Sequence, residues 1–252
     1  DMTRSNIHNV KKIHENNFIK NVDTVFCTSH NLFDKCKKIN GSTYLIPSGV
    51  NFLKFKKIYD IKNNDLKIKK IYRSPIIGYI GAITKVFDKK LLVYLSKSFP
   101  KYTFLIIGKE HIDLRELKKI KNIKFIGHVD HDSIPHYLKT FDIAIIPYLK
   151  NDFTENVYSF KLNEYLAMGL PVITTDLNEF KIFENQYPNT IYVSKSHKEF
   201  KNHLSRDFSI FWEHKKQRIE VAKENSWSNR FSKIKEIFEF NYNNNISSFI
   251  KK

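Results

Sequence analysis

Three polar residues open one short segment of the chain in a pattern that could bind a phosphorylated ligand. The segment SFKLNEYLAMGLPVITTD covers residues 159–176 and begins with Ser159, a residue type that favours a helix N-cap. The free backbone N–H groups of a first helical turn and the helix dipole both favour an anion such as a phosphate. Lys161 would add a positive charge, and Glu164 could accept two hydrogen bonds from a vicinal diol such as a ribose. The segment could therefore hold a sugar nucleotide.

The same residues also fit a plain crossover helix. Lys161 and Glu164 are three positions apart, which is the spacing of a solvated ion pair on one helix face. Gly169 suits the C′ position that follows a helix, and Pro171 prevents the helix from continuing. Spacing alone leaves both interpretations open.

Apolar strands alternate with helices from Ser74 onward. The strands are predicted at PIIGYIG, YTFLIIG, IKFIG, DIAIIPY, PVITT and TIYV, with a helix between each pair. This alternation predicts an α/β fold, a Rossmann-like parallel sheet with helices on both faces. The first three strands end in glycines that mark the carboxyl edge, where such sheets bind ligands. These glycines are Gly81, Gly108 and Gly127.

Two regions flank the predicted sheet. Before it, the pattern predicts a helix over 5–20 and two short strands, and the polar stretch 56–73 marks the best domain boundary. After it, helices are predicted over 211–225 and 227–240. The polar tail 241–252 has little to bury, so it is a candidate for disorder.

Composition excludes several classes of protein. The 252 residues are 41% hydrophobic, which is enough for a substantial core. Cys27 and Cys36 have no metal-ligand spacing, which argues against a disulfide framework and favours a reducing compartment. No window approaches the roughly 18 apolar residues of a transmembrane helix.

The net charge of +17 comes from lysines spread through the whole chain. The densest basic run, 58–73, is best interpreted as a solvated linker, and attraction to an anionic membrane surface is the second interpretation. No helix-turn-helix, RNP-like or KH-like pattern is present, so we expect no nucleic acid partner.

A group of histidines and aspartates in GHVDHDSIPH is a second candidate site. Its spacing matches no recognised zinc motif, and Asp132 with Ser133 fits a helix start, so a metal site is not favoured. No Gly-x-Gly-x-x-Gly, Walker A or Gly-x-Ser-x-Gly pattern occurs elsewhere. The candidate ligands are His128, Asp130, His131, Asp132 and His136.

The segment SFKLNEYLAMGLPVITTDLNEF resembles the donor-site signature of glycosyltransferase family 4, whose members have the two-domain GT-B fold. Further blocks follow in the family's order: VDTVFCTSHNLFDKC, YLIPSGVNFLKF, IIGYIGAI and NIKFIGHVDHDSIPHYLKTFDIAIIPY. The resemblance implies a remnant of the N-terminal acceptor-side Rossmann domain over 1–55 and a linker over 56–73. It also implies a nucleotide-sugar-binding domain over 74–225, and a C-terminal crossover helix with a tail over 226–252.

The resemblance implies an enzyme, a glycosyltransferase of the hexosyltransferase type. It would use a UDP- or GDP-sugar with retention of configuration and without a catalytic metal, and no cofactor is expected beyond this donor. The acceptor would be a glycan or a lipid-linked acceptor, in cell-surface polysaccharide synthesis. The place of action would be the cytoplasm, with peripheral association at the inner face of the membrane as an option.

The short N-terminal remnant leaves the catalytic groups unknown. We expect the chain to be either a fragment or a reduced relative, with the acceptor pocket absent. The alternative function is therefore a non-catalytic nucleotide-sugar-binding module that needs a partner chain.

The family's Glu-x7-Glu pattern implies the residues that contact the donor. Its second Glu, which holds the ribose, corresponds to Glu164. Its first, which holds the sugar, corresponds to Asn156, with Glu155 beside it. Backbone N–H groups from Asn156 to Ser159 would face the sugar and the diphosphate.

The loop after Gly81 departs from the family's pattern. Many members have an Arg and a Lys there that hold the diphosphate, whereas this chain has Ala82 and Asp88. Lys85 or Lys161 could supply the missing charge. The base is expected near three further residues, Gly108, Gly127 and His128.

Overall fold

The computed structural model describes residues 13–60, 71–72 and 75–250 of the chain, with side chains described up to residue 242. The first part of the predicted helix 5–20 and most of the predicted linker 56–73 lie outside these ranges.

Two parallel sheets organise the described residues. In chain order the strands are β1 (Val25–Cys27), β2 (Thr43–Leu45), β3 (Ile76–Ile80), β4 (Thr103–Ile107), β5 (Ile123–Gly127), β6 (Ile143–Ile146), β7 (Val172–Thr175) and β8 (Ile191–Ser194). The first two pair with each other, and the other six form one sheet in the order β5-β4-β3-β6-β7-β8. This is the doubly wound order of a Rossmann fold. The predicted α/β sheet is confirmed. Its inner strands β3, β4 and β6 are fully buried apolar runs, as strands covered on both faces should be, whereas the edge strand β5 is only partly buried.

Helices cover both faces of the large sheet and link it to the small one. They are α1 (residues 13–21), α2 (His30–Lys37), α3 (Phe52–Tyr59), α4 (Lys89–Ser98), α5 (Arg115–Lys118), α6 (Ile134–Leu138), α7 (Phe160–Ala167), α8 (Asn178–Gln186), α9 (His197–Leu204), α10 (Phe208–Glu213), α11 (Lys215–Glu224) and α12 (Trp227–Ile250), with a short 3-10 turn at Thr154–Asn156 before α7. Helix α3 occupies the first residues of the predicted linker.

The chain crosses twice between the two sheets, and the two crossings run side by side. The Val50 N–H donates to the Asn225 carbonyl at 3.1 Å, and the Trp227 N–H donates to the Val50 carbonyl at 3.0 Å. The segment before α3 is therefore held to the start of α12.

The predicted disorder of the tail is wrong, because α12 continues to Ile250. Asn241 lies between two residues of the small sheet region: its Oδ1 accepts from the Tyr44 hydroxyl at 3.1 Å, and its Nδ2 donates to Thr24 Oγ1 at 2.9 Å. The Phe238 ring packs 5.7 Å from the Phe26 ring. These contacts hold α12 against the small sheet region, and extending a helix beyond them costs far less than nucleating one.

The predicted single helix over 211–225 is also wrong, because the chain breaks at His214 into α10 and α11. The Arg218 guanidinium donates to the Phe211 carbonyl and, through Nε at 3.0 Å, to the Gly169 carbonyl. The first of these carbonyls would have accepted the N–H of residue 215 in a continuous helix. Arg218 is fully buried, and this burial lowers the pKa of its guanidinium to about 10.

Replacing Arg218 by Ala should lower the free energy of unfolding by about 3 kcal/mol, since it leaves two buried carbonyls without donors and opens a cavity. Urea denaturation measures this loss. The control is Arg115→Ala, which removes a guanidinium that is 85% exposed and pairs with Asp113; such a surface pair contributes about 0–1 kcal/mol. Equal losses for the two variants would contradict the assigned role of Arg218.

Candidate functional site

The strand order reverses between β3 and β6, and helix α7 begins in the crevice at this reversal. Tyr165 on α7 fixes its position, because the Ile80 N–H at the end of β3 donates to the Tyr165 hydroxyl at 2.9 Å. Burial raises the pKa of Tyr165 well above its usual value, so the phenol stays protonated. The start of α7 is thereby placed at the carboxyl edge, where doubly wound sheets bind ligands.

Lys161 lies directly over the loop that follows β3. A Cβ added to Gly81 would stand 2.0 Å from Lys161 Cε, so only glycine leaves room for this side chain. The Lys161 ammonium donates to the Tyr148 hydroxyl at 2.6 Å. It also lies 5.3 Å and 5.6 Å from the ring centroids of Tyr148 and Tyr79, within the range of cation–π attraction. The structure thus places Lys161 beside the exit of β3, and its contact with a diphosphate stays a prediction.

Ser159 occupies the N-cap position of α7, but its side chain does not cap the helix. Its hydroxyl is buried and has no hydrogen-bond partner within the described part of the chain. An unpaired buried hydroxyl is costly, so this group needs a partner that the described residues do not supply. The first turn of α7 contains no acidic residue that would oppose an anion.

The end of α7 matches the sequence prediction. Gly169 has a φ of +66°, a left-handed conformation that glycine adopts without strain. The Gly169 N–H donates to the Leu166 carbonyl at 2.8 Å and the Leu170 N–H to the Tyr165 carbonyl at 3.1 Å. This pair of bonds is the Schellman motif, and it turns the chain directly into β7.

Glu164 points from α7 toward the loop between β5 and α6. Its side chain is 17% exposed, and its Oε1 lies 3.1 Å from His131 Nε2. Its second carboxylate oxygen, Oε2, makes no hydrogen bond or ion pair with any of the described residues. A diol that enters between α7 and this loop would therefore meet a free carboxylate oxygen.

Asn156 lies in the short turn that leads into α7. Its Nδ2 donates back to the Asp152 carbonyl at 2.6 Å, and its own carbonyl accepts from Ser29 Oγ at 2.8 Å. Ser29 follows β1 in the small sheet. The turn that carries the predicted sugar contact is therefore anchored by the N-terminal region.

Glu155 uses its carboxylate within the protein. Its Oε2 accepts the Asn178 N–H at 3.0 Å at the start of α8, and its Oε1 lies 3.3 Å from Lys150 Nζ. Its carbonyl accepts from Asn31 Nδ2 at 2.8 Å. The contact of Glu155 with a donor sugar stays a prediction; the contacts seen here are those of a helix-capping residue.

Asp88 and Lys85 belong to the loop after β3. Asp88 is the N-cap of α4: its Oδ1 accepts the Leu91 N–H at 2.9 Å and its Oδ2 lies 2.8 Å from His197 Nε2. Both carboxylate oxygens therefore shape the loop. Lys85 is exposed, and its contact with a diphosphate stays a prediction.

The residues predicted near the base lie along the same edge. The Gly81 N–H donates to the Ile107 carbonyl at 2.8 Å, and the Gly108 N–H donates to the Gly127 carbonyl at 2.7 Å. The three glycines thus line adjacent strand ends. His128 follows at the rim and is exposed.

Sequence reasoning missed several residues that position this site. Ser29 and Asn31 could have been found, because polar residues directly after a predicted parallel strand fall at its carboxyl end. Tyr148 ends another strand in the same way. His131 was considered only as a metal ligand; among the described residues, however, no group of three or more His, Cys, Asp or Glu side chains could hold a metal ion.

No helix within the described ranges combines the length and hydropathy that a membrane crossing requires.

Comparison with protein families matches residues 74–206, just over half of the chain, to the glycosyl transferases group 1. The chain belongs to this family. The matched residues contain the whole six-stranded sheet and helix α7.

Similar proteins include TuaH of Bacillus subtilis strain 168, which is provisionally assigned as a teichuronic acid biosynthesis glycosyltransferase. TuaH is 27% identical over 186 residues, which are 71% of this chain and 46% of TuaH. The chain therefore spans about half the length of TuaH.

Two solved structures share the fold. Alr3699/HepE of Anabaena, in complex with UDP-glucose, superposes with a TM-score of 0.74 at 14% identity over 88% of this chain and 65% of HepE. A glycosyltransferase of Rickettsia africae gives 0.73 at 17% identity over 90% of this chain and 66% of its own. At these identities the likeness establishes the fold, which is that of GT-B glycosyltransferases.

Replacing Gly81 by Ala should lower the free energy of unfolding by about 1–3 kcal/mol, because its φ of +146° strains any residue with a Cβ and because the new methyl group displaces Lys161 from Tyr148. In a Lys161→Ala background the added loss should be smaller, since the colliding side chain is gone. Chemical denaturation of the four proteins gives this coupling energy.

The matched control is Gly41→Ala, because a Cβ at Gly41 meets nothing within 4 Å. It should change stability by less than about 0.5 kcal/mol. Strict additivity of the Gly81 and Lys161 changes would contradict the close approach of the two residues.

Proposed function

We propose that the chain is the nucleotide-sugar-binding part of a glycosyltransferase that acts on a UDP-sugar. The acceptor is a glycan or a lipid-linked sugar in cell-surface polysaccharide synthesis, and the anomeric configuration is retained. The observation that carries this proposal is the convergence, at the switch point of the sheet, of Lys161, the start of α7 and the Glu164 carboxylate.

The diphosphate of the donor fits the start of α7. Free N–H groups, the helix dipole and the Lys161 ammonium supply positive charge where the leaving group develops negative charge. The unpaired Ser159 hydroxyl can donate to a phosphate oxygen. In this proposal the acceptor hydroxyl attacks from the face that the diphosphate leaves and gives its proton to the leaving phosphate, so no catalytic metal is needed.

The ribose fits against Glu164, and the sugar fits near Asn156 in the turn before α7. The base then lies along the strand ends at Gly108 and Gly127, with His128 at the rim. HepE binds UDP-glucose, which supports a uridine nucleotide. The assignment of TuaH supports a polysaccharide product.

A lipid-linked acceptor would bring the protein to the inner face of an anionic membrane. The net charge of +17 supports this location, since it favours attraction to such a surface.

A second candidate is a binding module that holds the nucleotide sugar and relies on a partner chain for catalysis. Hydrolysis or transfer of UDP-glucose by the isolated chain would exclude it.

Replacing Glu164 by Ala should weaken UDP binding by about tenfold or more, because the hydroxyls of the ribose lose a charged acceptor. Isothermal titration calorimetry with UDP, with and without EDTA, measures this change, and EDTA should have no effect.

Glu116→Ala serves as the matched control, since the Glu116 side chain is 85% exposed on α5. It should bind UDP as tightly as the unchanged chain. Unchanged affinity in the Glu164 variant would remove the basis of the proposed function.

A further inference from the structure

The His131 imidazole connects Glu164 to a lysine on the helix that follows the first crossing between the sheets. His131 Nε2 lies 3.1 Å from Glu164 Oε1, and His131 Nδ1 lies 2.7 Å from Lys54 Nζ. Lys54 belongs to α3, which begins two residues after Val50. The imidazole thus lies between the Lys54 ammonium and the carboxylate of Glu164, the candidate acceptor for the ribose hydroxyls.

The Lys54 ammonium makes three hydrogen bonds to the loop that carries His131. Its ammonium donates to His131 Nδ1 at 2.7 Å, to the His131 carbonyl at 2.9 Å and to Asp132 Oδ1 at 2.7 Å. An ammonium group has three hydrogens, so all of its donors are used. The hydrogen bond from Lys54 also lowers the pKa of the Asp132 carboxyl.

These contacts determine which ring nitrogen of His131 carries the proton. Lys54 can only donate, so Nδ1 must accept and the proton of the neutral ring must lie on Nε2. Nε2 then donates to the carboxylate of Glu164. A ring in the other tautomer would present a donor to Lys54 and a lone pair to Glu164.

A second residue of α3 limits rotation of the ring. The Phe55 ring is fully buried, and the His131 ring meets it edge-on, with centroids 6.5 Å apart and an interplanar angle of 81°. Lys54 and Phe55, adjacent residues of α3, therefore both contact the same imidazole.

We propose that His131, held by Lys54, is a positioning residue that orients the Glu164 carboxylate for the donor ribose. The Nε2–H group binds Oε1 and leaves Oε2 directed to the ligand. This inference rests on the proposed function, since it assigns the ribose to Glu164. It adds that the nucleotide affinity depends on α3, outside the donor-site segment.

Asn and Gln substitutions separate the two contacts of the ring. An Asn side chain places its amide nitrogen near the position of Nδ1, whereas Gln reaches the position of Nε2. His131→Gln can therefore still donate to Glu164, and His131→Asn and His131→Ala cannot.

Calorimetric titration with UDP tests the proposal on these variants. His131→Ala and His131→Asn should weaken binding about fivefold to tenfold, and His131→Gln should stay within about twofold. Lys54→Met should weaken binding about threefold, because the ring loses its fixed tautomer. In a Glu164→Ala background, His131→Ala should cause no further loss.

Two control variants change similar side chains that lack these contacts. Lys57→Met removes an exposed lysine of α3, and His136→Gln removes an exposed histidine of α6. Both should bind UDP like the unchanged chain, with melting temperatures measured for every variant.

Nitrogen-15 NMR of the ligand-free chain determines independently which ring nitrogen of His131 carries the proton. The Nε2–H tautomer of His131 is expected, and it should be lost in Lys54→Met. The Nδ1–H tautomer, or His131→Asn binding as tightly as His131→Gln while Glu164→Ala binds weakly, would overturn the positioning role alone. Unchanged binding by Glu164→Ala would instead overturn the proposed function together with this inference.

Discussion

The whole site depends on the approach of α7 to the end of β3, and the glycine at position 81 accommodates that approach. The stem of Lys161 fills the space that any Cβ there would occupy. Tyr165, one turn later, holds the same strand by its last backbone N–H. Once these two contacts set the position of α7, the free first turn faces the crevice and Glu164 faces the loop after β5.

Regions distant in sequence hold α7 in this position. Ser29 and Asn31 bind the turn before it, and buried Asn163 on α7 donates to the Ser48 carbonyl at 2.8 Å, just before the first crossing. Arg218 binds the carbonyl of Gly169 after its end. The segment 159–176 is thus supported by the chain just before the first crossing, by α11 and by the residues that follow β1 in the small sheet, although α7 itself has only eight residues.

Sequence patterns predicted the features that local chemistry determines. Continuous apolar runs predicted the six strands, glycine exits marked the shared edge at the first three, and Gly169 with Pro171 predicted the end of α7. The break at His214 and the helical tail were not predicted, because they arise from Arg218 reaching Phe211 and Asn241 reaching Tyr44. Those contacts join residues whose partners a sequence pattern does not reveal.

The residues of the candidate site divide in the same way, into those that local sequence predicts and those that depend on distant contacts. Lys161 and Glu164 could be selected from one segment, since they lie three positions apart near the start of a single helix. The bonds of Asp88 to His197 and of Glu155 to Asn178 could not be foreseen, because these partners belong to other elements. The partnership of His131 with Glu164 likewise appears only when the loop after β5 is folded beside α7.

A crystal structure of the chain with UDP tests the central claim most directly. We expect the ribose hydroxyls to lie within hydrogen-bonding distance of Glu164 and the diphosphate to lie at the first turn of α7, beside Lys161 and Ser159. It would be contradicted if UDP bound instead in the 660 Å³ cavity lined by His30 and Arg230, with the crevice at α7 empty.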